Sequence, residues 1–167
     1  MALIYKVTIA DRQSKVSLPV GTRLLVRRVC ISVLKHENFN CDADLSVTFV
    51  DSMYIQSLNK QYRGIDAPTD MLSFPASDSG YEIDPDTGSK FLGDIVLSAE
   101  KALEEATIEH TTIQEKIMLW TSHSLLHLLG YDHEKDPVDL VRMNEISEEV
   151  AQAVGAPYMR YHLSNQV

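Results

Sequence analysis

Two short stretches near the N-terminus alternate between hydrophobic and polar residues, the period-two pattern of a half-buried strand. They cover residues 5–9 and 45–49, where apolar positions alternate with Lys, Thr and Ser. Between them, residues 22–37 have helical spacing. One stripe of this segment is apolar and the basic side chains lie mostly opposite; the stripe contains Leu25, Val26, Val29 and Val33. The pattern predicts a strand, a helix and a second strand, in that order.

The same criteria divide the rest of the chain. Further strands are predicted at residues 71–74 and 91–97, with a surface loop at 76–90. Helices are predicted from their capping residues: from Asp51 or Ser52 to 62, from Ser98 to 106, from Thr112 to 129, and from Asp136-Pro137 to a stop at Gly155 and Pro157. We therefore expect an α/β (α+β) fold, with a small mixed four-stranded sheet packed with about five helices. Without an internal repeat or long linker, residues 1–167 are predicted to form a single domain.

Cysteine content and hydropathy bear on the cellular compartment. The two cysteines, Cys30 and Cys41, make no disulfide framework, and Cys30 falls in the apolar stripe of the first predicted helix. The N-terminus lacks the apolar region of a signal peptide. No apolar run approaches the roughly 18 residues of a transmembrane helix, so no membrane partner is expected. These features favour the reducing cytoplasm.

The net charge of −9 argues by itself against a nucleic-acid partner, but the charge is unevenly distributed. Residues 1–40 contain seven Lys or Arg and two acidic residues, a surplus of five positive charges. Three of the basic residues, Arg23, Arg27 and Arg28, lie on the polar side of the first predicted helix. They form either a basic face for RNA or an ordinary solvated helix surface.

The stretch HSLLHLLGYDH, residues 123–133, holds three of the six histidines. Because a helix advances about 100° per residue, His123 and His127 project from one face, one turn apart. Gly130 is expected to end the helix and turn the chain, which brings His133 back toward them. Three neutral nitrogen ligands suit one Zn²⁺ per chain and leave a tetrahedral position open, as in catalytic zinc sites. Nickel or another divalent metal also accepts imidazole, and the alternative is three unrelated core or surface histidines.

Two neighbouring residues bear on how this metal site would work. Ser124 stands where the zincin motif H-E-x-x-H has its general base, so that base is absent. Asp132 precedes the third histidine and either supports a ligand from the second shell or simply forms the turn.

A second group of polar residues lies in NKQYRGIDAPTDMLSFP, residues 59–75. Arg63, with Lys60 nearly one helical turn earlier, offers a guanidinium suited to phosphate. Asp70 follows Pro68 on a stiff turn before the short strand, where it can cap the turn or support the site. Equally, Arg63 can simply pair with Asp66.

Four blocks together resemble the YbeY family of metal-dependent, single-strand-specific endoribonucleases. They are NKQYRG (59–64), PTDMLSFP (68–75), LGDIVLS (92–98) and HSLLHLLGYDH (123–133), in the family's order. The resemblance implies an α/β fold in which His123, His127 and His133 bind zinc, with His123 and Arg63 catalytic and Arg63 contacting the RNA phosphate. It favours Arg23, Arg27 and Arg28 as a track for the RNA backbone. From their positions in the sequence, Lys60 is predicted as a further RNA contact, and Asp132 and Asp70 as residues supporting the ligands.

The resemblance also implies a biological role and a set of partners. The role is maturation of the 3′ end of 16S rRNA and ribosome quality control. The implied partners are single-stranded rRNA, a small-subunit ribosomal protein and the GTPase Era. One departure stands out: Ser124 replaces the glycine usual in this family, and its side chain either narrows the substrate's approach or hydrogen-bonds within the helix. The alternative functions are a non-catalytic, zinc-stabilised ribosome-assembly or RNA-binding factor, and a zinc hydrolase acting on a small molecule or peptide.

Overall fold

The computed structural model describes residues 2–155, which form five strands and five helices. The strands are β1 (Tyr5–Asp11), β2 (Ala43–Val50), β3 (Met71–Pro75), β4 (Glu82–Ile83) and β5 (Lys90–Ser98). The helices are α1 (Thr22–His36), α2 (Ser52–Arg63), α3 (Ala99–Ile108), α4 (Ile113–Leu128) and α5 (Pro137–Val154). Every element predicted from the sequence is present. The predicted stop at Pro157 lies outside the described residues.

The sheet is mixed, as predicted, but contains five strands instead of four. Its order is β1-β2-β5-β3, and β4 pairs with the beginning of β5. Strands β1, β2 and β5 run parallel, whereas β3 and β4 are antiparallel to β5. The fifth strand falls within residues 76–90, which were expected to be loop. Two residues are too short a segment for an alternating pattern to be recognised.

Helices cover both faces of the sheet. On one face, α1 and α4 pack over the larger core, which includes Trp120 and Phe49 with no exposed surface. Helix α2 covers a smaller cluster on the other face, built on Val50, Ile55, Leu72 and Val96. Burial of these apolar faces is the main source of stability.

The predicted small core cysteine is confirmed. Cys30 is fully buried, and this burial raises the pKa of its thiol to about 12. Cys30 and Cys41 are both free thiols. Within residues 2–155, no helix is long and apolar enough to cross a membrane.

Helix α4 is the central helix of the domain, and both of its ends are set by local sequence. At its N-terminus, Thr112 and Glu115 form the predicted capping box, in which each side chain accepts a hydrogen bond from the other's backbone N–H. At its C-terminus, Gly130 adopts φ 106°, a left-handed conformation that costs glycine little. Tyr131 N then donates to Leu126 O at 3.1 Å, and the chain folds back over the helix end.

Gly93 in the LGDIVLS block is required by a close approach between strands. A Cβ atom at this position would lie 2.1 Å from the carbonyl oxygen of Phe74 in β3. Any side chain here would therefore push β3 away from β5 at the point where the chain leaves the sheet. This glycine thus allows the close approach at the end of β3, from which residues 76–81 continue into one wall of the site described below.

Candidate metal centre

Three histidine side chains converge at the C-terminal end of α4. The Nε2 atom of His123 lies 3.1 Å from Nε2 of His127 and 3.1 Å from Nε2 of His133. His123 and His127 come from consecutive turns of the helix, and His133 reaches them through the turn at Gly130, as the spacing predicted. His123 and His133 are buried, and His127 is partly exposed.

The backbone orients the most exposed of the three rings. His127 Nδ1 lies 2.8 Å from the carbonyl oxygen of Tyr131. Because a carbonyl can only accept a hydrogen bond, Nδ1 carries the proton and the lone pair of Nε2 points toward the other histidines. A hydrogen bond of this kind fixes the tautomer of a metal-ligating histidine.

Burial and the neighbouring rings lower the pKa of two of the three imidazoles, those of His123 and His127. The pKa of His123 lies well below 6.5, first because burial disfavours the charged ring and then because of His127 and His133. The pKa of His127 is also lowered, by burial and by His133, against the opposing effects of the Tyr131 carbonyl, Asp132 and Glu134. Neutral imidazoles are the form that binds a metal ion.

The donor set fits a metal ion. At Zn–N distances of about 2.0–2.1 Å, two ligands of a tetrahedral site lie about 3.3 Å apart, close to the observed separations of 3.1 Å. All three ligand atoms lie within 4.8 Å of one another. The group can therefore hold one cation, and three protein ligands leave a coordination position open.

The histidines lie in a cavity of about 950 Å³ between two loops. One wall is the segment that follows β3, residues 75–81, and the other is the turn at residues 128–135. Four acidic and two basic side chains line the cavity: Glu37, Asp78, Asp132, Glu134, Arg63 and Lys135. With neutral histidines the lining carries about two negative charges, which a divalent cation would offset.

Of the two basic residues predicted in NKQYRG, the structure brings one to the cavity. Arg63, the last residue of α2, lines it, and its guanidinium lies 3.5 Å from Glu134 of the histidine turn. Lys60 is not among the described residues that line the cavity. Its ammonium group pairs instead with Asp66 at 2.8 Å, on an exposed surface. The expected alternative, in which Asp66 would pair with Arg63, is therefore wrong.

The basic residues of α1 lie away from the cavity. Arg23, Arg27 and Arg28 are all exposed, and Arg23 donates to the carbonyl oxygen of Ile9 at 2.9 Å. Glu37, directly after α1, lines the cavity. At about 1.5 Å per residue, Arg28 lies about 13 Å and Arg23 about 21 Å from Glu37 along the helix axis.

Asp132 and Asp70 are predicted to support the ligands, and that role stays a prediction. Asp132 lines the cavity, but its carboxylate accepts from Glu134 N at 3.1 Å and pairs with Lys135 at 3.0 Å, the contacts of a turn-forming residue. Asp70 is buried and accepts from Met71 N at 2.8 Å, which makes it a cap at the start of β3. It is not among the described residues that line the cavity.

Ser124 faces away from the ligands. Its hydroxyl donates to the sulfur of Met71 at 3.2 Å, and its carbonyl oxygen accepts from the Ser73 hydroxyl at 3.3 Å. It is fully buried and is absent from the cavity lining among the described residues. The serine therefore packs α4 against β3. Its side chain does not narrow the cavity relative to a glycine at this position.

Sequence reasoning missed two residues that shape the site. The Tyr131 carbonyl orients His127, and no side-chain pattern reveals a backbone acceptor. Glu37 lines the cavity although 86 residues separate it from His123 in the chain. The GYD turn could have indicated the first residue, because the chain must pass close to the helix end there.

Comparison with known proteins extends over nearly the whole chain. Residues 8–155 match the family model described as endoribonuclease YbeY. A protein of that name from Thermoanaerobacter sp. (strain X514) is 41% identical over 151 residues, covering 86% of this chain and 94% of the relative. Another, from Clostridioides difficile (strain 630), is 36% identical over 126 residues, covering 75% and 82%.

A solved structure supports the same assignment. The solution structure of TM1509 from Thermotoga maritima is 27% identical, covers 89% of this chain and 88% of its own, and superposes with a TM-score of 0.59. The family model, the curated relatives and the fold thus agree with the four sequence blocks and with the converging histidines. This chain belongs to the endoribonuclease YbeY family.

Proposed function

We propose that this protein is a zinc-dependent endoribonuclease that cuts single-stranded RNA. The observation that carries the proposal is the convergence of three imidazole Nε2 atoms in an open cavity that Arg63 also lines. His123, His127 and His133 would hold one Zn²⁺ ion. Zinc supplies Lewis-acid chemistry, since it polarises a phosphoryl oxygen and lowers the pKa of water to about 7.

The residues of the chain then perform the remaining tasks. Arg63 binds the phosphate next to the cleaved bond and offsets the negative charge that builds on its oxygens during hydrolysis. Its pairing with Glu134 at 3.5 Å is long and partly exposed, so a phosphate can displace it. His123, the most buried ligand, fixes the position of the metal site relative to α4. Asp132 holds the turn that carries His133.

The charge of the cavity sets an order of binding. Its lining is acidic, so an RNA phosphate is repelled until a divalent cation has bound. RNA affinity should therefore depend on zinc. Away from the cavity, Arg23, Arg27, Arg28 and Lys60 would contact the RNA backbone and add affinity that falls with salt.

The biological setting we propose is maturation of the 3′ end of 16S rRNA and ribosome quality control in the cytoplasm. Single-stranded rRNA would be the substrate, with a small-subunit ribosomal protein and the GTPase Era as partners. Support comes from membership of the endoribonuclease YbeY family and from the single-strand specificity that the family resemblance implies.

The decisive experiment is cleavage of a single-stranded RNA oligonucleotide by zinc-loaded, nuclease-free protein. Arg63→Glu should reduce the cleavage rate by about 100-fold or more, while folding and zinc content are retained. Lys15→Glu makes the same charge change at an exposed residue outside the cavity lining and should leave cleavage unchanged. Cleavage by Arg63→Glu at the wild-type rate would remove Arg63 from the mechanism.

The same assay separates the alternatives. Zinc-loaded wild-type protein that binds RNA but cuts none would be the non-catalytic assembly factor. Protein that binds no RNA and hydrolyses ester or peptide substrates would be the small-molecule or peptide hydrolase. A double-stranded RNA of the same sequence is the matched substrate control and should resist cleavage.

A further inference from the structure

A chain of hydrogen bonds runs from the histidine turn to α1 and α5. The Tyr131 hydroxyl donates to Glu37 Oε2 at 2.8 Å. The other oxygen of Glu37 lies 2.9 Å from His36 Nδ1, and His36 Nε2 lies 2.7 Å from Glu149 Oε2. The turn is thereby attached to two helices that supply no ligand to the metal group.

Tyr131 occupies the position on which the ligand geometry depends. It lies between Gly130, whose φ of 106° allows the chain to turn, and His133. Its carbonyl oxygen accepts from His127 Nδ1 at 2.8 Å. A shift of the Tyr131 backbone would therefore break the hydrogen bond that fixes the tautomer of His127. It would also displace His133. Because Gly130 is conformationally permissive, the Tyr131 side chain adds a restraint on that shift to the hydrogen bond from Tyr131 N to Leu126 O.

We infer that Glu37 is a positioning residue for the metal centre, which acts by holding Tyr131 and, through it, His127 and His133. The inference rests on the metal site of the proposed function and adds a residue from α1's C-terminal end to its support. Glu37 is itself well fixed, because its backbone N–H donates to Val33 O at 2.9 Å and its side chain is 18% exposed. Removing hydrogen-bonding partners that orient ligands typically lowers metal affinity by about 10–100-fold.

The test is zinc affinity, measured by competition with a chromophoric chelator. Glu37→Ala and Tyr131→Phe each remove the hydroxyl–carboxylate hydrogen bond, and each should weaken zinc binding by about tenfold or more. The double variant should lose no more than Tyr131→Phe alone, because both changes break the same contact. Glu37→Gln should restore near wild-type affinity, since its amide oxygen still accepts from the Tyr131 hydroxyl while its NH₂ donates to His36.

Two controls separate positioning from general packing. Glu149→Ala breaks the outer end of the chain but keeps the Tyr131–Glu37 contact, and should retain zinc affinity. The absorption spectrum of the Co²⁺-substituted protein reports ligand geometry directly: it should change in Glu37→Ala and not in Glu37→Gln.

Each remaining outcome has a distinct meaning. Wild-type zinc affinity in Glu37→Ala, or an equal loss in Glu149→Ala, would overturn the inference and leave the proposed function standing. Wild-type protein that binds no zinc would overturn the metal site itself. Urea unfolding of each metal-free variant checks that the conservative pair, Glu37→Gln and Tyr131→Phe, remains folded.

Discussion

Helix α4 buries a polar cluster at each end, and the two clusters differ in the kinds of groups that they bring together. Near its N-terminus, the Lys116 side chain is 2% exposed, and its ammonium lies 2.7 Å from Glu109 and 3.3 Å from Glu105. Near its C-terminus, the Nε2 atom of His123 lies 3.1 Å from Nε2 of His127 and 3.1 Å from Nε2 of His133. The first cluster contains opposite charges. The second contains three groups of one kind, all able to donate a lone pair.

This difference distinguishes a structural cluster from a functional one. The pKa of Glu105 is raised by burial, yet Lys116 opposes that shift, so the carboxylate has a partner within the fold. The pKa of His123 is lowered by burial and lowered further by its own neighbours. The lysine cluster is complete with the side chains it has. The histidine cluster brings together three donor nitrogens that could hold a metal ion.

The largest expected loss of stability comes from breaking the lysine cluster. Lys116→Ala leaves Glu105 and Glu109 without their buried counter-charge and should lower the free energy of unfolding by about 3–5 kcal/mol. Urea denaturation measures this loss. Lys101→Ala, which breaks the more exposed pair with Glu104, should cost less than about 1 kcal/mol. Equal losses in both variants would mean that the Lys116 cluster is no more than a surface pair.

The next largest effect is the gain in stability that zinc binding to the histidine cluster should give. Zinc at a free concentration 100-fold above its Kd should raise the free energy of unfolding of the wild type by about 2.7 kcal/mol. A chelator should reverse the gain. His123→Ala should show no such gain, whereas His110→Asn, at an exposed histidine outside the triad, should show all of it. A zinc effect that survives His123→Ala would contradict the site.

A smaller effect is expected at Ser124, next to the first ligand. Ser124→Gly places glycine inside a helix and should lower the free energy of unfolding by about 0.5–1 kcal/mol. Its zinc affinity should stay at the wild-type value, because the Ser124 hydroxyl contacts Met71 and not the histidines. Calorimetric titration with zinc checks this separation. A changed affinity would show that the serine tunes the metal centre after all.

The smallest effect concerns His36. Like Lys116, and unlike the three converging histidines, it lies between two carboxylates. Burial lowers its pKa, but hydrogen bonds that the ring donates to Glu37 and Glu149 outweigh burial and raise the pKa above 6.5. A raised folded-state pKa contributes stability that is complete below the unfolded pKa and is lost as pH rises through the folded value.

The comparison of wild type with His36→Gln tests that sign. In metal-free protein, the wild type's advantage in unfolding free energy should be greatest near pH 6, where both carboxylates remain ionised, and should shrink toward pH 9. A partly exposed ion pair of this kind contributes about 0.2–1 kcal/mol. An advantage that grows with pH would mean that His36 is held in its neutral form.

Local chemistry explains what the sequence could predict. The capping box at Thr112 and Glu115 and the turn at Gly130 involve neighbours in the chain, and so does the spacing of the three histidines. The burial of Lys116 could not be predicted, because its partners are Glu105 of α3 and Glu109 directly after that helix, and a lone lysine in a helix is typical of a solvated face. The role of Glu37 depends likewise on a contact across 94 residues.

The short spacing of the ligands has a consequence for folding. His123 and His133 are ten residues apart, so a bound ion closes a small loop and removes little entropy from the unfolded chain. The Tyr131–Glu37 hydrogen bond spans 94 residues and forms only once α1 has packed against the rest of the domain. At the proposed metal site, weak zinc binding would therefore begin in a partly folded chain. Full affinity would then report that the N-terminal and C-terminal halves have come together.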